Sequence, residues 1–427
     1  MRTGIRYREL LLALILLLAG LPALSFGAEI RFQSNTLFRL FERDTVKEAN
    51  SSILPGYEYL QIDAGELDDY GISFHAYGWG RLDFTDNDYF DDRTAGELLY
   101  GYLEYRRQEN RCSFRLGRQY VFEGVANEAI DGLRVSGDLG EHFSLSLYGG
   151  QPVGLDSEDG RSGDSIYGGR LAHRLGANYE VGVSYKTIEN DDVTAEELLG
   201  IDLGLFLPAN LSLSGYSTYN TESEGWAEHS YELRIPAGSF VFKPFYHQFT
   251  YEDYFDTGAN AVNPFRALAQ FDEELTAYGL DANWRYDDNW TFGGKLKLHD
   301  YDQREEAQTY SITFDWQGEE MTQYGGELGR TVTDSAGANE YTLVRLYGYC
   351  EAMAESFGID FVSSDLVLAF YDDEIYGEDS SLFVSLTGGK RFLDDALAVK
   401  ISGDYSQDPY FEDDLRGMLI VSYNFAH

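Results

Sequence analysis

The sequence predicts an all-β chain, a transmembrane antiparallel β-barrel of 18 to 22 strands, with 22 the best count. Three observations carry this. Apolar and polar residues alternate with a period of two in many separate runs, which is the pattern of half-buried strands. Tyr 33, Phe 27 and Gly 45 stand beside only 8 Pro, a profile that suits pleated surfaces and tight turns. The connections between runs alternate short and long, as they do in barrels that cross a membrane.

The first 28 residues read as an address rather than structure. Arg2, Arg6 and Arg8 precede an apolar run over residues 10–18, and Ser25, Phe26, Gly27 and Ala28 offer a small-residue cleavage region. The run is too short for a comfortable membrane anchor, so residues 1–28 are expected to be a secretory signal and residues 29–427 the barrel. Removing Arg2, Arg6, Arg8 and Glu9 takes away a net charge of +2, so the formal charge falls from −41 to −43. A chain this acidic is a poor partner for nucleic acid.

The strands follow in order. Tyr179, Val181, Val183 and Tyr185 alternate with polar residues or Gly. So do Phe292, Leu296 and Leu298, then Tyr310, Ile312, Phe314 and Trp316, then Leu397, Val399 and Ile401. Runs of this kind begin near Glu29, Ile53, Tyr70, Ala95, Cys112, Ala129, His142, Asp164, Asn178, Glu197 and Asn210. They continue near Gly225, Ser239, Glu274, Asn289, Ala307, Met321, Asn339, Phe357, Ser380, Ala396 and Leu415. A soluble sandwich would also alternate; the number of runs, their length of about ten residues and the leader favour a barrel with apolar residues outward and a wet lumen. No helix-period segment of useful length follows the leader, the nearest candidate lying near residues 265–275.

One set of connections is short, including 108–110, 137–141, 208–209, 237–238, 287–288 and 317–320. The other is longer and acidic, and comprises 86–92, 151–162, 189–196, 253–272, 372–379 and 407–414. The short set is expected to be periplasmic and the long set extracellular. The loop 253–272 is the longest, and Asn263, Pro264, Phe265 and Arg266 make it less acidic than the rest. It is expected to fold partly into the lumen with Arg266 near the path. The last run places Leu419, Val421, Tyr423 and Phe425 on one face, similar to the terminal strand of outer-membrane proteins, with Ala426 and His427 beyond.

Residues 114–135, FRLGRQYVFEGVANEAIDGLRV, are read as a rising strand over 113–121, a loop over 122–128 and a returning strand over 129–135. The Gly-Arg-Gln, Gly loop and Asp-Gly resemble the corresponding hairpin of alginate-export-type and related bacterial porins. That local resemblance, about 20 residues, implies a barrel. Arg115 and Arg118 differ in parity, so both face inward only if a bulge intervenes. Arg118 is expected to pair with Asp131 near the extracellular end, as a brace or as a solute contact.

Inward parity is also expected of Arg81, Asp83, Lys186, Lys295, Lys297, Asp315, Arg345 and Lys400, with Tyr77 and Trp79 on the parity of Arg81. Such charges either solvate the wall or select a solute. Arg115, Arg118, Asp131, Arg266, Lys295, Lys297 and Arg345 are the candidates for lumen or constriction. Cys112 and Cys350 are expected far apart and unpaired.

The seven His are scattered with no nucleophile and base constellation, and neither a catalytic residue nor a metal site nor a cofactor is expected. The Asp-rich loops lack a defined cation signature. These features predict a bacterial outer-membrane porin for passive diffusion of small hydrophilic solutes or ions, surrounded by outer-membrane lipid. The alternative is a barrel that sheathes multihaem cytochromes in an electron conduit; the chain has no haem-attachment motif of its own.

Overall fold

Lipid can cover an apolar face, but it cannot bond a free backbone edge, so alternation of this kind requires a closed sheet. The computed structural model describes residues 29–426 apart from 44–50, 86–88, 155–163, 191–192, 256–272, 303–304, 320, 335–339, 352–355, 357 and 411–412. The chain forms one antiparallel barrel of 22 strands. The first, Glu29–Arg43, pairs on one side with Pro55–Gly65 and on the other with the last, Asp414–Ala426, which closes the sheet. Ser51–Ile53 pairs with the end of the first strand and prolongs the second. The count of 22 is the one the alternation predicts, and the all-β barrel expectation holds.

Parity assigns the two faces. Leu116, Leu133, Leu147, Leu171, Val183, Ile201, Ile312, Leu328, Leu386 and Ile401 are exposed large hydrophobics on the outer parity. Outside, near the short turns, aromatic rings stack on one another: Phe240 with Trp284 at 5.8 Å, Trp290 with Phe292 at 5.8 Å and Trp316 with Tyr324 at 5.6 Å. An aromatic girdle at one rim is what an amphipathic ring does at a membrane interface. The inner face carries the charges: Lys186, Lys295, Lys297, Arg345 and Lys400 all lie on the parity opposite these apolar residues, as the alternation predicts.

Two of the acidic connections are shorter than expected. Strands Tyr179–Asn190 and Val193–Leu207 leave only residues 191–192 between them, and Phe361–Ile375 and Glu378–Phe392 are joined at Tyr376 and Gly377. These strands run on beyond the apolar band. There both faces meet water, alternation fades, and the sequence reads as loop although the backbone pairing continues. Cys112 opens one strand and Cys350 ends another far around the wall, and they form no disulfide. The expected leader, residues 265–272 of the candidate helical segment and with them Arg266 lie outside the described residues, and Glu274 and Leu275 open a strand.

Candidate functional site

One hairpin leaves the wall. Strand Cys112–Glu123 pairs with Thr94–Arg107 only from Cys112 to Arg118. Its partner, Ala126–Leu139, pairs with Phe143–Pro152 only as far as Ile130, with one further bond from the Val153 amide to the Ala129 carbonyl. The two strands nevertheless stay paired with each other up to Glu123 and Ala126. Residues 119–128 are therefore a two-stranded tongue whose outer edges pair with no wall strand, where the sequence suggests a loop over 122–128. Its turn is Gly124 and Val125, with φ +60° at Gly124; Gly at the first central position is the II′ pattern. The departure point has its own glycine, Gly117, at φ +128°, a backbone state that other residues reach only with strain.

The tongue folds inward and lies on the inner wall. The Val125 amide donates to Ser184 Oγ at 3.1 Å, and a Cβ added at Gly124 would lie 2.2 Å from that same oxygen. The absence of side chains at Gly124 and Gly200 is thus what allows the tip to seat. Val121 and Ala126 of the tongue, with Ile130 at its root, pack with Tyr148, Ile166 and Ile188, all inward residues of the wall, into one buried cluster. Full burial of each such aliphatic side chain stabilises the seat by roughly 1.5–3 kcal/mol. At the bend, Gln119 is buried and donates from Nε2 to the carbonyls of Arg115 and Gly132, at 3.3 and 3.2 Å.

Charges complete the docking. Glu123, next to the tip, pairs with Arg134 back on the wall. Glu128 accepts from Lys186 Nζ at 3.1 Å, and Lys186 also pairs with Glu196. Arg170 is held between Glu180, at 2.7 Å, and Asp202, at 2.5 Å. The short helix Tyr251–Phe255 stands over this side of the lumen, fixed where Asn220 Nδ2 donates to the Asp253 carbonyl at 2.8 Å. Burial raises the pKa of the Tyr254 hydroxyl on that helix above its ordinary value. The other face of the tongue is open: Tyr120 stacks on Phe122 at 6.0 Å, and Phe122 is 70% exposed.

The residues expected at the constriction separate into three groups. Arg115 points inward, donates to Glu104 at 2.8 Å and lies over the Tyr102 ring at 5.2 Å. Arg118 and Asp131 do pair, by a two-point contact of 2.8 Å at each nitrogen, with a third N–H reaching the Leu98 carbonyl at 3.0 Å. No bulge brings them inward: the register from Ser113 to Glu123 is regular, so they keep the outer parity of Leu116 and Leu133. They brace the rung at which the tongue leaves the wall. Lys295 and Arg345 lie on a separate arc, Lys295 with Glu327 at 3.3 Å and Arg345 with Asp365 at 2.6 Å, and Lys297 sits one inward position beyond Lys295. The tongue's contacts with Ser184, Lys186 and Arg134 escaped the sequence reading. The Gly-Val turn among the long loops is the signal that could have marked them.

An aromatic row occupies a further arc of the inner wall. Trp79 meets Tyr57 at 6.3 Å, Tyr59 meets Tyr77 at 6.4 Å, Tyr77 meets Tyr100 at 5.5 Å and Tyr102 meets His75 at 4.9 Å. Tyr77 and Trp79 therefore face the lumen with Arg81, as their parity predicts.

No protein family and no curated protein matches the chain. Among solved structures, a chain of the E. coli P pilus tip assembly intermediate PapC-PapD-PapK-PapG is similar over 92% of this chain and 60% of its own length, at 10% identity and a TM-score of 0.53. Acinetobacter baumannii OccAB4 aligns over 94% of this chain and 99% of its own, at 9% identity and 0.47. A BenF-like porin from Pseudomonas fluorescens aligns over 94% and 99%, at 10% and 0.48. At such identities the likeness concerns the fold, and what it establishes is a large closed antiparallel β-barrel.

Proposed function

We propose that the protein is a porin of the bacterial outer membrane, through which small hydrophilic solutes or ions diffuse passively, and that the tongue of residues 119–128 narrows its path. The observation that carries this reading is the tongue itself. A barrel of 22 strands encloses a wide bore, and a hairpin seated on its inner wall converts that bore into a narrower, charged passage. The apolar outer face, the aromatic girdle and the charged inner face fit a wall with lipid on one side and water on the other. With residues 1–28 taken as an export signal, the outer membrane is the destination.

Diffusion through such a passage needs no chemistry, and the inner charges act by solvating and sorting what passes. The rival reading, a sheath around a haem-bearing partner, requires bore that the tongue occupies. Reconstitution of the purified chain in planar bilayers tests the proposal. Discrete, ohmic single-channel steps are expected, and shortening the tongue by deleting residues 122–127 and closing the gap with two glycines should enlarge them. Absence of steps from heat-modifiable, folded protein would reject the porin reading.

A further inference from the structure

Between the tongue and the wall strands Asp164–Leu175, Tyr179–Asn190, Val193–Leu207, Leu211–Asn220 and Gly225–Ala237 lies a cavity of about 800 Å³. That is the size of a small-molecule site. Its charges are arranged unequally. Lys186, whose side chain is 5% exposed, faces two carboxylates, Glu128 and Glu196. Arg170 likewise faces two, Glu180 and Asp202. Glu228, three strands along the same wall from Ser184, accepts from the Tyr216 hydroxyl at 2.7 Å, and its ion-pair partner among the described residues is His247, at 2.9 Å. The Lys186 and Arg170 groups therefore each carry two carboxylates to one cation, and Glu228 has one imidazole beside it.

Rings complete the lining. Phe122 comes from the tongue, Tyr216 from the wall and Tyr254 from the short helix, and the latter two are 42% and 44% exposed. Aromatic faces attract cations, and a cleft with one sign of charge between low-dielectric walls concentrates the opposite ion.

We propose that this cavity is a subsite for a small organic cation, an amine or guanidine without a carboxylate, held between Glu228 and the Asp202 side of the Arg170 group with its alkyl part against Tyr216 and Tyr254. The proposal rests on the porin reading for its place in a solute path, but binding itself does not require conduction. An amine offers two or three N–H donors to Glu228 and Asp202, whereas a carboxylate would meet the excess negative charge without new donors.

The test uses the full-length exported protein, with putrescine as probe and succinate as its anionic counterpart. In detergent, calorimetry should show saturable binding of putrescine and none of succinate. In bilayers under a KCl gradient the reversal potential should be that of a cation-preferring pore, and putrescine should reduce the potassium current. Glu228→Gln, which retains the hydrogen-bonding shape, should raise the half-blocking concentration about tenfold, and Asp202→Asn should shift it the same way if the first variant fails to fold. Putrescine binding without any channel steps would reject the porin reading and leave the subsite standing. Channel steps with anion preference, or with no putrescine binding, would overturn the subsite.

Discussion

Arg134 on the barrel wall and Glu123 beside the tongue's turn form an ion pair that a flat hairpin could not make. Arg134 pairs in register with Arg115, and Glu123 lies eight residues beyond Arg115 on that strand. At about 3.3 Å per residue an extended hairpin would hold the two roughly 26 Å apart. Only a chain folded back into the lumen brings them together, so this pair reports directly on the seated tongue.

The pair is largely shielded, with side chains 19% and 12% exposed. Removing one partner leaves the other without a counter-charge, at a cost of about 1–3 kcal/mol. Arg134→Met and Glu123→Gln should each loosen the tongue, seen as added open-channel noise in single-channel records. The double variant should be no noisier than either single one. Additive effects would mean that the two side chains act independently.

Hydrophobic packing should weigh more than charge in holding the tongue. Ile130 and Val121 are fully buried against Tyr148, Ile166 and Ile188. Ile130→Ala should cost about 2–5 kcal/mol of seating, against a far smaller cost for exposed Tyr120→Ala. Its expected signature is a higher conductance with undiminished heat-modifiability, because the barrel closes between Glu29–Arg43 and Asp414–Ala426, away from the tongue. A loss of the folded form on unheated gels would show that the cluster supports the wall instead.

Arg118 and Asp131 brace the departure rung. Asp131 is 44% exposed at its side chain, so solvent screens the pair and its net worth is about 1 kcal/mol or less. In a double-mutant cycle followed by thermal denaturation, losing either residue should cost about as much as losing both. Since neither lines the path, ion selectivity should stay at the wild-type value in all three variants. A changed selectivity would place the pair in the solute path after all.

The wall was legible because it obeys one rule. Leu397, Val399 and Ile401 announce a strand with lipid on one side and water on the other, and 22 such runs can be counted directly. The tongue breaks that rule: Val121 and Ile130 are buried on the face that points into the lumen, while Phe122 is exposed on the other. Period-two patterning has no means of saying which apolar face meets lipid and which meets the chain's own inner wall. Parity alone puts Lys295 and Arg345 on the inner face and raises the question of Arg118. The pairing of Glu123 with Arg134, and of Glu128 with Lys186, depends on a fold-back that begins at Gly117, and its local traces are that glycine and the Gly-Val turn at 124–125.

Covalent locking gives the sharpest test of where the tongue resides. A Cβ built at Gly200 lies 3.6 Å from the Val125 Cβ, within the roughly 3.5–4.5 Å that a disulfide spans. Val125→Cys with Gly200→Cys, made after Cys112 and Cys350 are replaced by Ser, should therefore oxidise readily in membranes. If the seated tongue is the resting state, the bond ties down what is already in place. Conductance of the oxidised protein should match that of the reduced protein, and the noisy, larger openings of an added Ile130→Ala change should disappear on oxidation and return with reductant. A cross-link that forms only after prolonged oxidation, or one that sharply lowers conductance, would mean that the tongue spends most of its time away from Gly200 and that the narrowed passage is the minor state.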